Sequence, residues 1–159
     1  MLLPPFLLVD DSYTDVESHV ALLKRIGLVN TVRVIGDLAG AQRYLQECAG
    51  ERLPAIVFIG TQIRGGGGVD LVRWMRGQHA AIAAIPAIGL WRSDDTADSG
   101  QNGDDAAALG LAMVDAPGDM HRLIATMKGL GLTERVRIDS ATLMVQVELW
   151  PRPSSGPDR

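Results

Sequence analysis

The feature that most constrains the fold is an alternation, repeated five times, between short apolar runs and amphipathic segments. The apolar runs are continuous, which is typical of strands that are covered on both faces of a parallel sheet. Parallel neighbours require crossover helices, so the pattern predicts an α/β fold with a doubly wound five-stranded parallel sheet. Ligands are then expected at the carboxyl ends of the strands. The runs are residues 6–9, 31–35, 55–59, 85–91 and 111–114.

Length and composition exclude several classes of protein. The chain has 159 residues, which suits one domain, and 47% of them are hydrophobic. Fifteen Lys and Arg against 19 Asp and Glu give a net charge of −4, which argues against nucleic acid as a partner. The single cysteine, Cys48, excludes an intramolecular disulfide and a cysteine-rich zinc site. No apolar run reaches membrane length, so we expect a cytoplasmic protein without a membrane partner.

The C-terminal segment does not fit the five repeats. Residues 136–138 and 142–149 alternate, with Leu143, Val145, Val147 and Leu149 on one side. This pattern predicts an extra strand-like extension whose apolar side needs a cover. A neighbouring subunit can supply that cover by edge pairing or arm exchange, and pairing within the chain is equally open. The sequence therefore predicts a domain over 1–132, a dimerisation arm over 133–150 and a disordered tail over 151–159.

Four segments resemble the receiver domains of two-component response regulators, which have a CheY-like, flavodoxin-like fold. FLLVDDSYTDVE resembles the first strand of that family with its acidic pair, and LPAIVFIGTQIRGGGGVDLVRWMR resembles the third strand with its loop and helix. IPAIGLW and ALGLAMVDAP resemble the fourth and fifth strands. The resemblance covers about residues 5–130. The extended tail is most similar to single-domain regulators associated with bacteriophytochromes, in which tail extensions make dimer contacts.

The resemblance implies a phosphorylation site, and the chain departs from it at three positions. Asp10 and Asp11 match the acidic pair that holds Mg²⁺ in the family. The phosphoacceptor aspartate falls on Gly60, the Thr or Ser of the fourth strand on Trp91, and the lysine of the fifth strand on Ala116. We interpret the chain as a pseudo-receiver that lacks the usual phosphoryl transfer.

The altered pocket predicts a different charge arrangement. Two carboxylates without a third make a poor Mg²⁺ site, so we expect Mg²⁺ binding to be impaired or absent, and no cofactor. Arg64 or Arg92 is a candidate to pair with Asp10 or Asp11 and to replace the metal by a fixed charge. We expect Trp91 to fill the pocket.

The resulting hypothesis is an atypical single-domain regulator that is not an enzyme and acts through protein–protein interaction. Its expected partners are a second copy of itself and a sensor histidine kinase, a phytochrome or another signalling protein. The surface beside the fourth and fifth strands is the expected interface, and removal of residues 133–159 is expected to give a monomer. Two alternatives stay open. One is a working receiver phosphorylated on Asp10, Asp11 or Asp70, and the other is a flavodoxin-like binder of a small ligand through residues 65–68.

Overall fold

The structure is a computed structural model, and it describes residues 3–48, 52–60, 63–91, 108–115, 120–138, 141 and 145–151. The described helices and strands follow the predicted alternation up to the fourth strand, with one short additional helix before that strand. The predicted crossover between the fourth and fifth strands lies mostly outside the described residues. In chain order they are β1 Phe6–Val9, α1 Tyr13–Arg25, β2 Val32–Ile35, α2 Leu38–Glu47, β3 Ile56–Ile59, α3 Gly68–Arg76, α4 Ala80–Ala83, β4 Ala87–Trp91, β5 Ala112–Asp115, α5 Met120–Gly129, β6 Thr133–Ile138 and β7 Val145–Trp150.

The main sheet has five parallel strands in the order β2-β1-β3-β4-β5. This is the doubly wound flavodoxin-like order, so the predicted fold class is confirmed. The register aligns Val9 with Ile35 on one side and with Ile59 on the other, and Ile59 aligns with Gly89. Because these residues share one level, β1 and β3 end side by side at the carboxyl edge of the sheet.

Successive residues of the strands point into two separate cores, one on each face. Leu8 and Phe58 pack with α1 and α5, whereas Val9 and Ile59 pack with α2 and α3. All eight residues of β1 and β3 are fully buried. Each buried Phe, Leu, Ile or Val side chain of this kind stabilises the fold by roughly 1.5–3 kcal/mol, which explains why no polar residue interrupts either strand.

Arg76, the last residue of α3, ties three segments together through their backbone. Its Nε donates to the carbonyl of Leu109 at 3.0 Å, and its Nη1 donates to the carbonyls of Ala83 and Ile85 at 2.9 and 2.8 Å. The guanidinium thereby joins the end of α4 and the segments that lead into β4 and β5. The fork of donors at fixed angles suits arginine and not lysine.

The C-terminal extension is an antiparallel hairpin, in which β6 pairs with β7 over six residues. The extra strand therefore pairs within the chain. The other edge of β7 contacts the segment between α1 and β2, where Val147 donates to the carbonyl of Gly27 at 2.7 Å and accepts from Val29 at 3.1 Å. Since the N–H and C=O of Val147 point away from β6, those of its partner Val136 point outward from the hairpin.

The side chain of Asn30 fixes β7 to the main domain. It donates to the carbonyls of Pro4 at 2.8 Å and Leu149 at 2.9 Å, and it accepts from the N–H of Leu149 at 3.0 Å. Leu149 is only 3% exposed and belongs to the core on the α1 face, against which Val147 also packs. Two of the four residues expected to form a dimer arm are thus covered by their own chain. For Val147 and Leu149, the cover that the sequence left open comes from within the chain.

The remaining expectations for the tail fall partly outside the described residues. Leu143 and residues 152–159 are outside the part of the chain that the structure describes. For Val145 the structure gives the backbone pairing with Ile138.

Among the helices that the structure describes, none has the length and apolar character required to cross a bilayer.

Candidate functional site

The candidate site lies where β1 and β3 end, at the carboxyl edge of the sheet. Asp10 and Asp11 directly follow β1, and Gly60 directly follows β3. The N–H of Gly60 donates to the carbonyl of Val9 at 2.8 Å, which holds the two strand ends together. The structure therefore brings Gly60 beside the acidic pair, as the sequence suggested.

Asp10 is a buried carboxylate with its side chain 0% exposed. Its Oδ1 accepts a hydrogen bond from the backbone N–H of Ser12 at 2.9 Å, and this contact fixes the turn into α1. Its Oδ2 lies 4.0 Å from Nδ1 of His19 on α1. The Asp10 carboxylate is thus enclosed between β1, the start of α1 and His19.

His19 is a residue of the site that the sequence reasoning missed. It is 3% exposed, and its Nδ1 has no hydrogen-bond partner among the described residues. The nearby carboxylate favours the imidazolium, but burial disfavours it more strongly, so the pKa of His19 is lowered. The imidazole is therefore neutral near pH 7. The available signal was the spacing of Asp15, His19 and Leu22, which places all three on one buried stripe of α1.

Gly60 has no room for a side chain. A Cβ atom built there would lie 2.7 Å from the Cβ of Asp10 and would overlap its carboxylate. The Asp10 side chain therefore occupies the volume into which a residue at the end of β3 would project. Glycine at this position follows from the packing and not from a need for a positive φ angle.

Asp11 and Arg64 form an ion pair at the mouth of this pocket. Their Oδ1 and Nε atoms are 3.1 Å apart, and the side chains are 39% and 71% exposed. The Arg64 backbone is held by the turn after β2, since Leu38 donates to its carbonyl and its own N–H donates to Gly36. This is one of the pairings anticipated from the sequence. At such exposure the pair itself stabilises the fold by about 1 kcal/mol or less.

The residues present do not fit a Mg²⁺ ion. Mg²⁺ requires several oxygen ligands in near-octahedral geometry. Here Gly60 offers no side-chain oxygen, Asp10 is enclosed, and Asp11 faces the Arg64 guanidinium. No group of three or more His, Cys, Asp or Glu side chains that could hold a metal occurs among the described residues.

The glycine-rich loop, residues 65–67, leads into α3 and borders an open groove. The carboxylate of Asp70 accepts from the N–H of Gly67 at 3.0 Å and pairs with Arg73 at 3.3 Å, so it caps α3. The groove has a volume of about 400 Å³ and lies between the start of α2 and this loop. It is lined by Asp37, Leu38, Ala39, Gln42, Arg64 and Gly65.

Three of the predicted site residues cannot be placed in the pocket. Arg92 and Ala116 lie outside the described residues. For Trp91 the structure gives the backbone alone, which pairs with Asp115 of β5. That Trp91 fills the pocket and that Arg92 contributes charge to it stay predictions.

The strand order, the parallel sheet and the acidic residues after β1 define a receiver fold. Among solved structures, the chain is similar to the bacteriophytochrome response regulator RtBRR, with 24% identity, a TM-score of 0.69, and coverage of 87% of this chain and 84% of that one. It is also similar to the bacteriophytochrome response regulator AtBRR, with 23% identity, a TM-score of 0.71, and coverage of 87% and 99%. A third, the Mn²⁺-bound form of response regulator Rcp1, has 16% identity, a TM-score of 0.59, and coverage of 81% and 91%.

These structures confirm the resemblance to receiver domains at the level of the fold. That the chain is associated with a bacteriophytochrome stays a prediction. No protein-family model matches the sequence, and no curated protein matches it.

Proposed function

We propose that this chain is an atypical response regulator that acts in two-component signalling without being phosphorylated. The observation that carries the proposal is the end of β3, where Gly60 supplies no acceptor carboxylate and Asp10 fills the space of one. Phosphoryl transfer depends on a positioned nucleophile and on cations that neutralise the transferring group. Among the described residues, the end of β3 offers no nucleophile, and the nearest guanidinium, that of Arg64, is already paired with Asp11. We therefore infer that the chain works as a binding module and not as an enzyme, and that it needs no metal cofactor.

The other carboxylates are poorly placed to take over as acceptors. Asp10 is enclosed, and Asp70 is engaged in capping α3. Asp11 is the most favourable alternative, because it is 39% exposed and lies beside a guanidinium that can offset negative charge. A receiver phosphorylated on Asp11 is therefore the second candidate function.

Intact-mass spectrometry after incubation with acetyl phosphate and Mg²⁺ tests the proposal. We expect no gain of a phosphoryl group under conditions that label an ordinary receiver. A gain in the unmodified chain that disappears in Asp11→Asn would contradict the proposal and establish the second candidate. Titration with Mg²⁺ or Mn²⁺ is the parallel test, in which tryptophan fluorescence is expected to stay constant because the pocket lacks a third carboxylate.

We also propose that the chain forms a homodimer through the outer edge of β6. Among the described residues β6 pairs with β7 alone. Its outward N–H and C=O groups, those of Val136 among them, form a short ladder that a second copy can complete. Edge pairing of this kind needs neither Val147 nor Leu149, which are already packed in the domain.

A single substitution on β6 separates edge pairing from the integrity of the hairpin. Val136→Pro removes one outward N–H and leaves the hydrogen bonds between β6 and β7 in place. Light scattering is expected to give a dimer for the unmodified chain and for Val136→Thr, which keeps the N–H, but a monomer for Val136→Pro. A dimer in all three would refute the role of this edge. Deletion of residues 133–159 is less informative, because it also removes Leu149 from the core.

We propose that the upstream partner is a sensor histidine kinase or another signalling protein in the cytoplasm. A phytochrome is the first candidate, because two of the similar structures are bacteriophytochrome response regulators. The net charge of −4 favours protein over nucleic acid as the partner. The affinity for such a kinase, measured by calorimetry, is expected to be the same with and without acetyl phosphate.

A further inference from the structure

The residues at the strand ends disagree with the cation site that the fold implies, and the disagreement has a specific geometry. We propose that Asp10 closes the pocket from within, so that its buried carboxylate and the glycine at position 60 depend on each other. The consequence of this packing for signalling rests on the proposed function, because a closed pocket excludes both a cation and a phosphoryl group. The packing itself is testable without any signalling assay.

A side chain at position 60 would collide with the Cβ of Asp10 as well as with its carboxylate. An added Cβ would meet the Cβ of Asp10 at 2.7 Å and would overlap its carboxylate. A flexible end can rotate away from a new atom, but a Cβ moves only with its backbone. The backbone is held, because Gly60 donates to Val9 and Asp10 donates to Ile35 of β2.

The Asp10 carboxylate also cannot move toward α1. Oδ1 is engaged with the N–H of Ser12, and Oδ2 faces His19 at 4.0 Å. His19 is itself 3% exposed and packed within α1. The Asp10 side chain is therefore held between position 60 and His19. It fills the pocket and does not act as a metal ligand.

We expect position 60 to accept a side chain when Asp10 is replaced by glycine, which removes the obstructing Cβ as well as the carboxylate, and not when only the charge is removed. Gly60→Ala is expected to lower the urea midpoint by roughly 1 M or more, as overpacking does. In the Asp10→Gly background, which also removes the Cβ of residue 10, the same substitution is expected to change the midpoint little. In the Asp10→Asn background, where the volume is kept, it is expected to cost as much as in the unmodified chain.

Gly129→Ala is the matched control, because a Cβ at that position meets nothing within 4 Å. It is expected to leave the midpoint unchanged or to raise it. If Gly60→Ala does not fold, the comparison of Asp10→Gly with the double variant Asp10→Gly/Gly60→Ala still decides the question. A large additional loss in the double variant would overturn the proposal, and so would equal rescue by Asp10→Asn.

The failure of this inference is distinguishable from failure of the proposed function. Additive effects of Asp10→Gly and Gly60→Ala would overturn the proposed dependence between the two positions while leaving the absence of phosphorylation in place. A phosphoryl group found on Asp11 would overturn the proposed function while leaving the coupling between Asp10 and Gly60 intact.

Discussion

Replacing Asn30 with alanine tests whether the C-terminal hairpin is part of the folded core. Asn30 is 5% exposed and makes three hydrogen bonds, two of them to Leu149 and one to Pro4. The substitution leaves two carbonyls and one N–H without these partners in a buried place. At about 1 kcal/mol for each bond, with an added penalty for buried unpaired groups, we expect a loss of roughly 2–4 kcal/mol in the free energy of unfolding.

Two measurements distinguish a local from a global effect of Asn30→Ala. Urea denaturation gives the loss of global stability, and hydrogen exchange at the Leu149 amide reports whether β7 has separated from the domain. Both are expected to change together, since Leu149 belongs to the main core. Val29→Ala is the control, because its side chain is 37% exposed and its backbone N–H still donates to Val147.

A small effect of Asn30→Ala would show that these hydrogen bonds do not hold β7 in place. If Asn30→Ala costs less than about 0.5 kcal/mol, the value of an ordinary surface substitution, Asn30 does not fix β7. Unchanged exchange at the Leu149 amide would lead to the same conclusion. In either case the hairpin would be held by the backbone bonds at Val147 and by the packing of Val147 and Leu149 in the core.

Three further predictions concern the charged groups. Arg76→Ala is expected to lower the free energy of unfolding by roughly 2–4 kcal/mol, and Arg76→Lys to recover less than half of that, because an ammonium group cannot span three carbonyls; equal stability of the two variants in urea would contradict this. Burial lowers the pKa of His19 below its ordinary 6.5, so the unfolded chain binds the proton more readily and stability falls as the pH drops below that value. His19→Leu is therefore expected to show a weaker loss of stability than the unmodified chain between about pH 7.5 and about pH 5.5, and parallel profiles would exclude the effect. Arg64→Ala is expected to cost about 1 kcal/mol or less, with the difference shrinking in high salt, and a salt-independent loss would show that Arg64 acts through packing.

Much of the fold could be predicted from the sequence, because its signals are local. The buried strands were recognisable from uninterrupted apolar runs, such as that ending at Ile59, and parallel pairing followed from the helices between them. The strand order needed the resemblance to a known family, since apolarity does not indicate which strands are neighbours. The alternation of apolar and polar residues around Val147 predicted a strand correctly. Such a pattern cannot indicate which surface covers the apolar side of the strand.

The candidate site was predictable in its position and not in its packing. Spacing placed Asp10, Asp11 and Gly60 at neighbouring strand ends. That the Asp10 side chain occupies the space above Gly60 is a contact between different strands, which no local pattern encodes. His19 was missed for a related reason, because a single histidine on an amphipathic helix gives no indication of whether it faces a carboxylate.

The contact between Asn30 and Leu149 also determines when this protein can finish folding. The two residues are 119 positions apart, and the core on the α1 face contains Leu28 as well as Leu149. During synthesis, at roughly 5–20 residues per second, the first helix is made many seconds before the strand that covers this end of the core. A chain released before β7 leaves the polar groups of Asn30 and the neighbouring apolar surface uncovered. Prematurely terminated products are therefore expected to be substrates for chaperones and proteases, even when all five strands of the main sheet have been made.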